Sequence, residues 1–261
     1  NPELSKAFVD ISSEVAGIRR CKDAQELHLM QQAIDITCQA HRKAASIVHE
    51  GSLESDLEAV IEQTFISNGA VRAFPSIVAT GKNGAILHYS ANNERLQNGD
   101  VVVADIGARY GYYCADITRS YPVGGRFAPL QRKVYDLVLE TQTYIAGLAK
   151  PGMWLSSKDY PDRSLNHLAK AFLNQTEFGN FFFHGIGHFL GIDVHDVGDY
   201  AKPLAPGDVI TIEPGIYLSH EHFGIRIEDN YLITEDGVVC LSEGLPKSAE
   251  AIEALCHGEA V

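Results

Sequence analysis

A ten-residue pattern occurs twice in this chain, and it limits the fold more than any other stretch of the sequence does. Asn98-Gly99-Asp100-Val101-Val102-Val103-Ala104-Asp105-Ile106-Gly107 aligns with Pro206-Gly207-Asp208-Val209-Ile210-Thr211-Ile212-Glu213-Pro214-Gly215 at a constant offset of 108. Each copy begins with a Gly-Asp turn and runs through a β-branched strand to an acid two residues before a glycine. Each acid is followed by another on the next strand-like run, Asp116 after Asp105 and Glu228 after Glu213. The repeat implies two halves of one duplicated unit.

Helical patterns surround these strands. Over residues 23–49 the apolar Leu27, Met30, Ile34, Cys38, Ala45 and Val48 recur mostly three or four apart, and Gly51 stands where a helix-ending glycine belongs. Ser55 with Glu58 forms a capping-box pattern for a second helix, carried by Leu57, Val60, Ile61 and Phe65 and stopped by Asn68-Gly69. Strands are expected at 76–80, 101–106 and 112–121, helices at 129–149 and 157–174, strands again at 209–217, 224–234 and 238–242, and a last helix at 248–255. Regular periodicity starts only at about Asp23, so residues 1–17 are expected to be a lead-in and 18–261 a single domain. The element order predicts an α+β fold.

The acids carry the chemistry. If Asp105 faces Asp116 across an antiparallel hairpin, the turn centres on Tyr110-Gly111; if Glu213 faces Glu228, it centres on His220-Glu221. Like charges directly opposed are destabilising unless something positive lies between them. One such pair could be solvated strand ends, but two at equivalent places in a repeat ask for cations. A third element runs from Phe181 to Gly198 and holds His184, His188 and His195 with four glycines within fifteen residues. Glycines supply no packing and each buried imidazole needs a partner, so the cluster reads as functional. It is not an H-E-x-x-H zinc motif. Carboxylates with an imidazole make a hard, oxygen-rich site that suits a pair of manganese, cobalt, iron or zinc ions. Two such metals can hold a hydroxide and polarise a carbonyl, which is amide-hydrolysis chemistry.

Composition removes other classes. There are 21 Lys plus Arg against 34 Asp plus Glu, a net charge of −13, which argues against a nucleic-acid partner. No run approaches the ~18 apolar residues of a membrane span, and the first thirty residues do not read as a signal peptide. Five cysteines (Cys21, Cys38, Cys114, Cys240, Cys256) without C-x-x-C spacing fit reduced thiols and a cytoplasmic location. The chain starts at Asn1 rather than Met, and removal of something upstream is expected.

Six motifs resemble the pita-bread metallopeptidases, in the branch of Xaa-Pro aminopeptidase (aminopeptidase P) and prolidase. They are Asn83-Gly84-Ala85-Ile86-Leu87-His88-Tyr89, Asp105-Ile106-Gly107 through Asp116-Ile117-Thr118-Arg119-Ser120, His184-Gly185-Ile186-Gly187-His188, Val194-His195-Asp196, Ile212-Glu213-Pro214-Gly215-Ile216-Tyr217 and Ile225-Arg226-Ile227-Glu228-Asp229. The resemblance covers about residues 18–255 and implies a curved antiparallel sheet, in two pseudo-symmetric halves, covered by helices. It implies a dinuclear site held by Asp105, Asp116, His188, Glu213 and Glu228, a substrate cleft lined by His88, His184 and His195, and support of the ligands by Arg226 and Tyr217. It also implies hydrolysis of the bond between an N-terminal residue and a following proline, with Glu213 as the proton carrier, His195 and His88 as donors to the developing oxyanion, and His184 near the proline ring.

Relatives in this branch usually carry an additional amino-terminal domain, of which only a short lead-in is represented here. A homo-oligomer is left open. The compact connection from Glu213 to Glu228 is like many prolidases, whereas residues 116–127 are more like aminopeptidase P. A dipeptidase needs a cation for the terminal carboxylate of its substrate. Of the few cations in the motifs the main ones are Arg226, expected to be committed to a ligand, and Arg119, expected to lie on the opposite strand face. Aminopeptidase is therefore the leading expectation, Xaa-Pro dipeptidase the alternative, and an inactive peptide- or protein-binding module the alternative of another class.

Overall fold

The computed structural model describes residues 8–259. Its elements are α1 (Ser12–Arg20), α2 (Ala24–Ala45), α3 (Glu54–Ser67), β1 (Val71–Arg72), β2 (Ile77–Thr80), β3 (Val101–Ile106), β4 (Ala108–Tyr110), β5 (Tyr113–Cys114), β6 (Ile117–Pro122), α4 (Pro129–Leu148), α5 (Leu165–Leu173), β7 (Val209–Ile212), β8 (Gly215–Leu218), β9 (Phe223–Arg226), β10 (Asp229–Ile233), β11 (Val238–Cys240) and α6 (Ala249–Cys256). All ladders are antiparallel, in the orders β1-β4-β5, β2-β3-β6, β11-β10-β7 and β8-β9. This is an α+β fold.

The sequence repeat is a structural repeat. Gly99 and Gly207 open the two copies with φ of 89° and 90°, a left-handed conformation that favours glycine. In each copy the acid after that glycine accepts a bond from the amide three residues before it, Gln97 N to Asp100 at 3.1 Å and Ala205 N to Asp208 at 2.8 Å. The carbonyls of Asp100 and Asp208 then accept from Val123 N and Ile233 N, at 2.9 and 2.8 Å. Two chemically equal turns therefore aim β3 and β7, with Asp105 and Glu213 at their far ends.

The expected register holds in the second half and fails in the first. Gly215 pairs with Arg226 and Ile212 with Asp229, so Glu213 and Glu228 lie opposite each other between two ladders. In the first half Asp105 pairs with Thr118, not Asp116. The turn centres on Gly111-Tyr112, with φ of 53° and 76°, the two positive values of a type I′ hairpin. Asp116 falls in the break between β5 and β6, diagonal to Asp105.

Helices cover this frame for readable reasons. Asp23 caps α2, accepting bonds from Gln25 N and Glu26 N at 2.8 and 2.9 Å, while the Glu26 carboxylate accepts one from Asp23 N. The buried face of α2 carries Met30, Ala33, Ile34, Thr37, His41 and Ala44. The cap expected at Ser55 lies elsewhere: Asp56 accepts from Leu53 N at 2.8 Å, so α3 begins two residues earlier. Pro129 opens α4, and Gln142 on its buried face donates to the carbonyls of Ile212 and Ile227, at 3.1 and 3.3 Å. Those carbonyls immediately precede Glu213 and Glu228, so one amide pins both strand breaks. The helix expected over 157–174 is shorter, Leu165–Leu173, with Ser164 as its cap.

Of the lead-in expected over residues 1–17, residues 1–7 lie outside the described residues, and a helix, α1, spans Ser12–Arg20. α1 buries none of its residues and is held instead by ion pairs, Arg19 with Asp193 and Asp196 and Arg20 with Asp208. Its spaced apolar residues, Val15 and Ile18, stay exposed, and it runs across the boundary expected at residue 17.

Candidate metal centre and substrate cleft

Strand ends and breaks deliver the acids to one place. Asp105 comes from the end of β3, Asp116 from the break before β6, Glu213 from the break between β7 and β8, and Glu228 from the break between β9 and β10. His188 comes from the glycine-rich segment, which runs along β7: Thr211 N bonds His188 O and Glu213 N bonds Ile186 O, at 2.9 and 2.8 Å. Gly187 is required there, because a Cβ would collide with the carbonyl of Thr211.

The His188 ring is oriented by its other nitrogen. Nδ1 donates to Phe189 O at 3.0 Å, which leaves Nε2 bare and turned toward Asp116, Glu213 and Glu228, at 3.3, 3.7 and 4.0 Å. Ligand atoms of Asp116, His188 and Glu228 all lie within 4.8 Å of one another. Asp105 Oδ1 and Asp116 Oδ1 are buried without a hydrogen-bond partner. Orphaned carboxylate oxygens beside a bare imidazole nitrogen fit divalent cations, since an unpaired buried anion is costly.

Electrostatics agree. Burial raises Asp116 well above the usual carboxylate range, with Asp105 and Glu213 adding repulsion. Glu228 is likewise raised by burial and then by Asp116, Glu213 and Asp105. Glu213 is pushed up to about 7, chiefly by burial. These acids resist ionising together without added positive charge.

Arg226 supports the acids from behind. Its Nη2 donates to Asp105 Oδ2 at 2.7 Å, Nε to Thr118 Oγ1 at 3.2 Å and Nη1 to the Tyr217 hydroxyl at 2.9 Å. Thr118 in turn donates to Glu228 Oε2 at 2.7 Å. Thr118 was not singled out from sequence, although its place two residues after Asp116 puts it on the ladder position opposite Asp105.

The acids form the floor of an open cleft of about 710 Å³ whose walls include Phe74, His88, Val194, His195 and Tyr200. His88 and His195 both line it, and the His195 ring lies 4.3 Å from that of His188 between centroids. His184 also lines the cleft, but both its ring nitrogens are engaged: Nδ1 with Gly185 O at 2.8 Å and Nε2 with the Tyr217 hydroxyl at 2.9 Å. Burial pulls its pKa down to about 3, so the ring is neutral and accepts the Tyr217 proton. In this arrangement the ring has no spare donor; it props Tyr217, which props Arg226.

Residues 28–235 match metallopeptidase family M24. The chain belongs to this family. An Xaa-Pro aminopeptidase of Haemophilus influenzae is 38% identical, over 96% of this chain and 64% of that protein. An Xaa-Pro dipeptidase of Pyrococcus furiosus is 35% identical, over 91% of this chain and 67% of that protein. The structure of zinc-substituted Escherichia coli aminopeptidase P in complex with product is similar with a TM-score of 0.88 at 34% identity, over 97% of this chain and 63% of that one. This M24 chain therefore has the pita-bread fold, and it spans less than two thirds of the Haemophilus protein.

Two buried charged groups hold the frame of this M24 domain. Glu54, fully buried, accepts from Thr80 N, Asn83 Nδ2, the Tyr89 hydroxyl and Glu94 N, at 2.7, 3.2, 2.7 and 3.0 Å. It organises the irregular loop that carries His88. Arg119, also fully buried, pairs with Asp229 at 2.8 Å and donates to the carbonyls of Thr118, Glu228, Leu245 and Pro246. It joins the halves and is absent from the cleft, as its place on the opposite strand face requires.

Proposed function

We propose that this M24 chain is a metal-dependent Xaa-Pro aminopeptidase, acting on peptides with proline in second position. The observation that carries the reading is the convergence of four carboxylates and the bare His188 Nε2 on the floor of one cleft. Residues 18–261 are read as its catalytic domain. Asp105, Asp116, His188, Glu213 and Glu228 are the residues that would hold two divalent ions, with manganese the first choice for so oxygen-rich a donor set. When bound, such ions lower the pKa of water and polarise a carbonyl oxygen.

The chain's own groups do the rest. Glu213 takes a proton from the attacking water and passes it to the departing prolyl nitrogen. His195 and His88 donate toward the oxyanion that develops on the scissile carbonyl. His195 is neutral near pH 7, since burial first and then His188 and His88 lower its pKa, so it can offer an N–H without carrying charge. The cytoplasm is part of this reading and is supported by the five free thiols. No described helix is long and apolar enough to cross a membrane.

The Pyrococcus relative favours a second reading, Xaa-Pro dipeptidase. Among the described residues that line the cleft, the one arginine is Arg226, and it is bound to Asp105, Thr118 and Tyr217. The cleft thus offers no spare arginine or lysine to a terminal carboxylate. Xaa-Pro-Yaa tripeptides are expected to be cleaved with higher kcat/KM than the matching Xaa-Pro dipeptides. With both in one tube and manganese present, faster loss of the dipeptide would promote prolidase, and cleavage of neither would promote the binding module.

Arg226→Ala tests the support. It is expected to weaken manganese retention at least about tenfold, as loss of a partner behind a ligand does, while turnover partly returns at high manganese. Unchanged metal affinity in equilibrium dialysis would remove Arg226 from this role.

A further inference from the structure

His195 sits on an irregular loop, and what fixes that loop lies outside the cleft. The next residue, Asp196, turns its carboxylate away into a pocket where it is 1% exposed. There Oδ2 meets the ammonium of Lys22 at 3.2 Å, itself on a side chain only 1% exposed, and Oδ1 accepts a bond from Arg19 Nη2. The same Arg19 nitrogen donates to Asp193 at 2.7 Å, and Asp196 N closes the loop onto Phe189 O at 2.9 Å. Gly191 leaves room for the arrangement, since a Cβ there would collide with the Asp196 carboxylate and crowd Lys22. Lys22 is anchored through its backbone to Gly207 O at 3.0 Å, in the turn that aims β7.

A buried carboxylate held by two cations from a single short segment is an expensive arrangement, kept only where all partners stay together. The segment that supplies the cations, the end of α1 and the two residues after it, contributes no side chain to the cleft lining. We propose that Asp196, clamped by Lys22 and Arg19, is the positioning device that aims the His195 ring at the reacting carbonyl. The inference rests on the aminopeptidase reading and deepens it. Lys22 and Arg19 touch no substrate; they act through Asp196 on its neighbour.

The test uses the whole chain loaded with manganese and an Xaa-Pro-Yaa tripeptide. Lys22→Met keeps the length of the stem and removes the ammonium. It is expected to lower kcat about 10- to 100-fold, the scale for a reacting group displaced by about an ångström, with KM and manganese content unchanged. His195→Ala alone should cost ~10²-fold, as removal of one oxyanion donor does, and Lys22→Met added to it should cost nothing further. Equal losses in both backgrounds, or a loss that follows metal content, would overturn the proposal. Arg20→Gln is the control: it cuts the bonds from α1 to Asp208 and Pro203 O without touching Asp196, and should leave kcat unaltered. A loss equal to that of Lys22→Met would show general loosening of α1 and sink the clamp.

If Lys22→Met does not fold, Asp196→Asn takes its place, with the same size and no charge. A reading independent of turnover is the histidine-ring NMR spectrum of the metal-free chain. Lys22→Met should shift or broaden the His195 signal and leave that of His41, which is buried against Tyr121 and Ile117, in place. An unmoved His195 signal overturns the clamp. A wild-type chain that cleaves no peptide overturns the aminopeptidase reading alone, because the NMR result still decides the positioning.

Discussion

Glu213→Ala is expected to abolish turnover, by ~10³-fold or more, while the chain stays folded. The backbone at this position is held independently of the side chain, through Glu213 N to Ile186 O at 2.8 Å and through Gln142 on the preceding carbonyl. The carboxylate itself is partly open to the cleft, at 19% exposure, so truncation leaves a wider cleft rather than a sealed void in the core. What is lost is the proposed proton carrier and one of the proposed ligands. Glu213→Gln separates the two, because the amide keeps an oxygen that can coordinate and loses the group that takes the proton. The expectation is that manganese content falls in the alanine variant, is largely kept in the glutamine variant, and that kcat collapses in both. Near-wild-type turnover of either at saturating manganese would remove Glu213 from the mechanism.

How far such roles can be read from sequence differs between the two halves of the molecule. Around Glu213 and Glu228 both ladders follow one register, so a single alignment of acids across a turn at His220-Glu221 was enough. Around Asp105 and Asp116 the alignment misses, because Tyr112, a large aromatic, occupies a left-handed turn position that sequence rules assign to Gly, Asn or Asp. The slip keeps parity, which is why the two acids still reach the same site. The helix α1 differs again: its apolar Val15 and Ile18 face no core, and it is fastened by Arg19 and Arg20 to acids more than 170 residues away in sequence. Glu54 and Asp196 share that character. Each is a buried carboxylate whose partners come from chain segments that only the folded structure brings near, so nothing local marks either as an organiser of the loops carrying His88 and His195.

The acid cluster also fixes how stability should respond to pH, and the sign reverses with bound metal. In the metal-free chain burial holds Glu213 at about 7 against an ordinary value of 4.5, and Asp116 and Glu228 are raised as well. A raised carboxylate binds more protons in the folded than in the unfolded state. Its contribution is therefore fully present below about pH 4.5 and is lost as pH rises through about 7. For Glu213 alone the difference corresponds to about 3 kcal/mol, or roughly 6–12 °C in melting temperature for a chain of this size. The metal-free chain is thus expected to melt at lower temperature at pH 8 than at pH 5, and Glu213→Gln to flatten that slope. With saturating manganese the trend should invert, because the ligands must be deprotonated to bind and each proton that leaves at higher pH favours the loaded, folded state. Calorimetric melting across this range, with and without chelator, reads both slopes. Metal-free stability that rises from pH 5 to 8, or a slope that manganese leaves unchanged, would mean that these carboxylates are not the cation-demanding cluster their geometry describes.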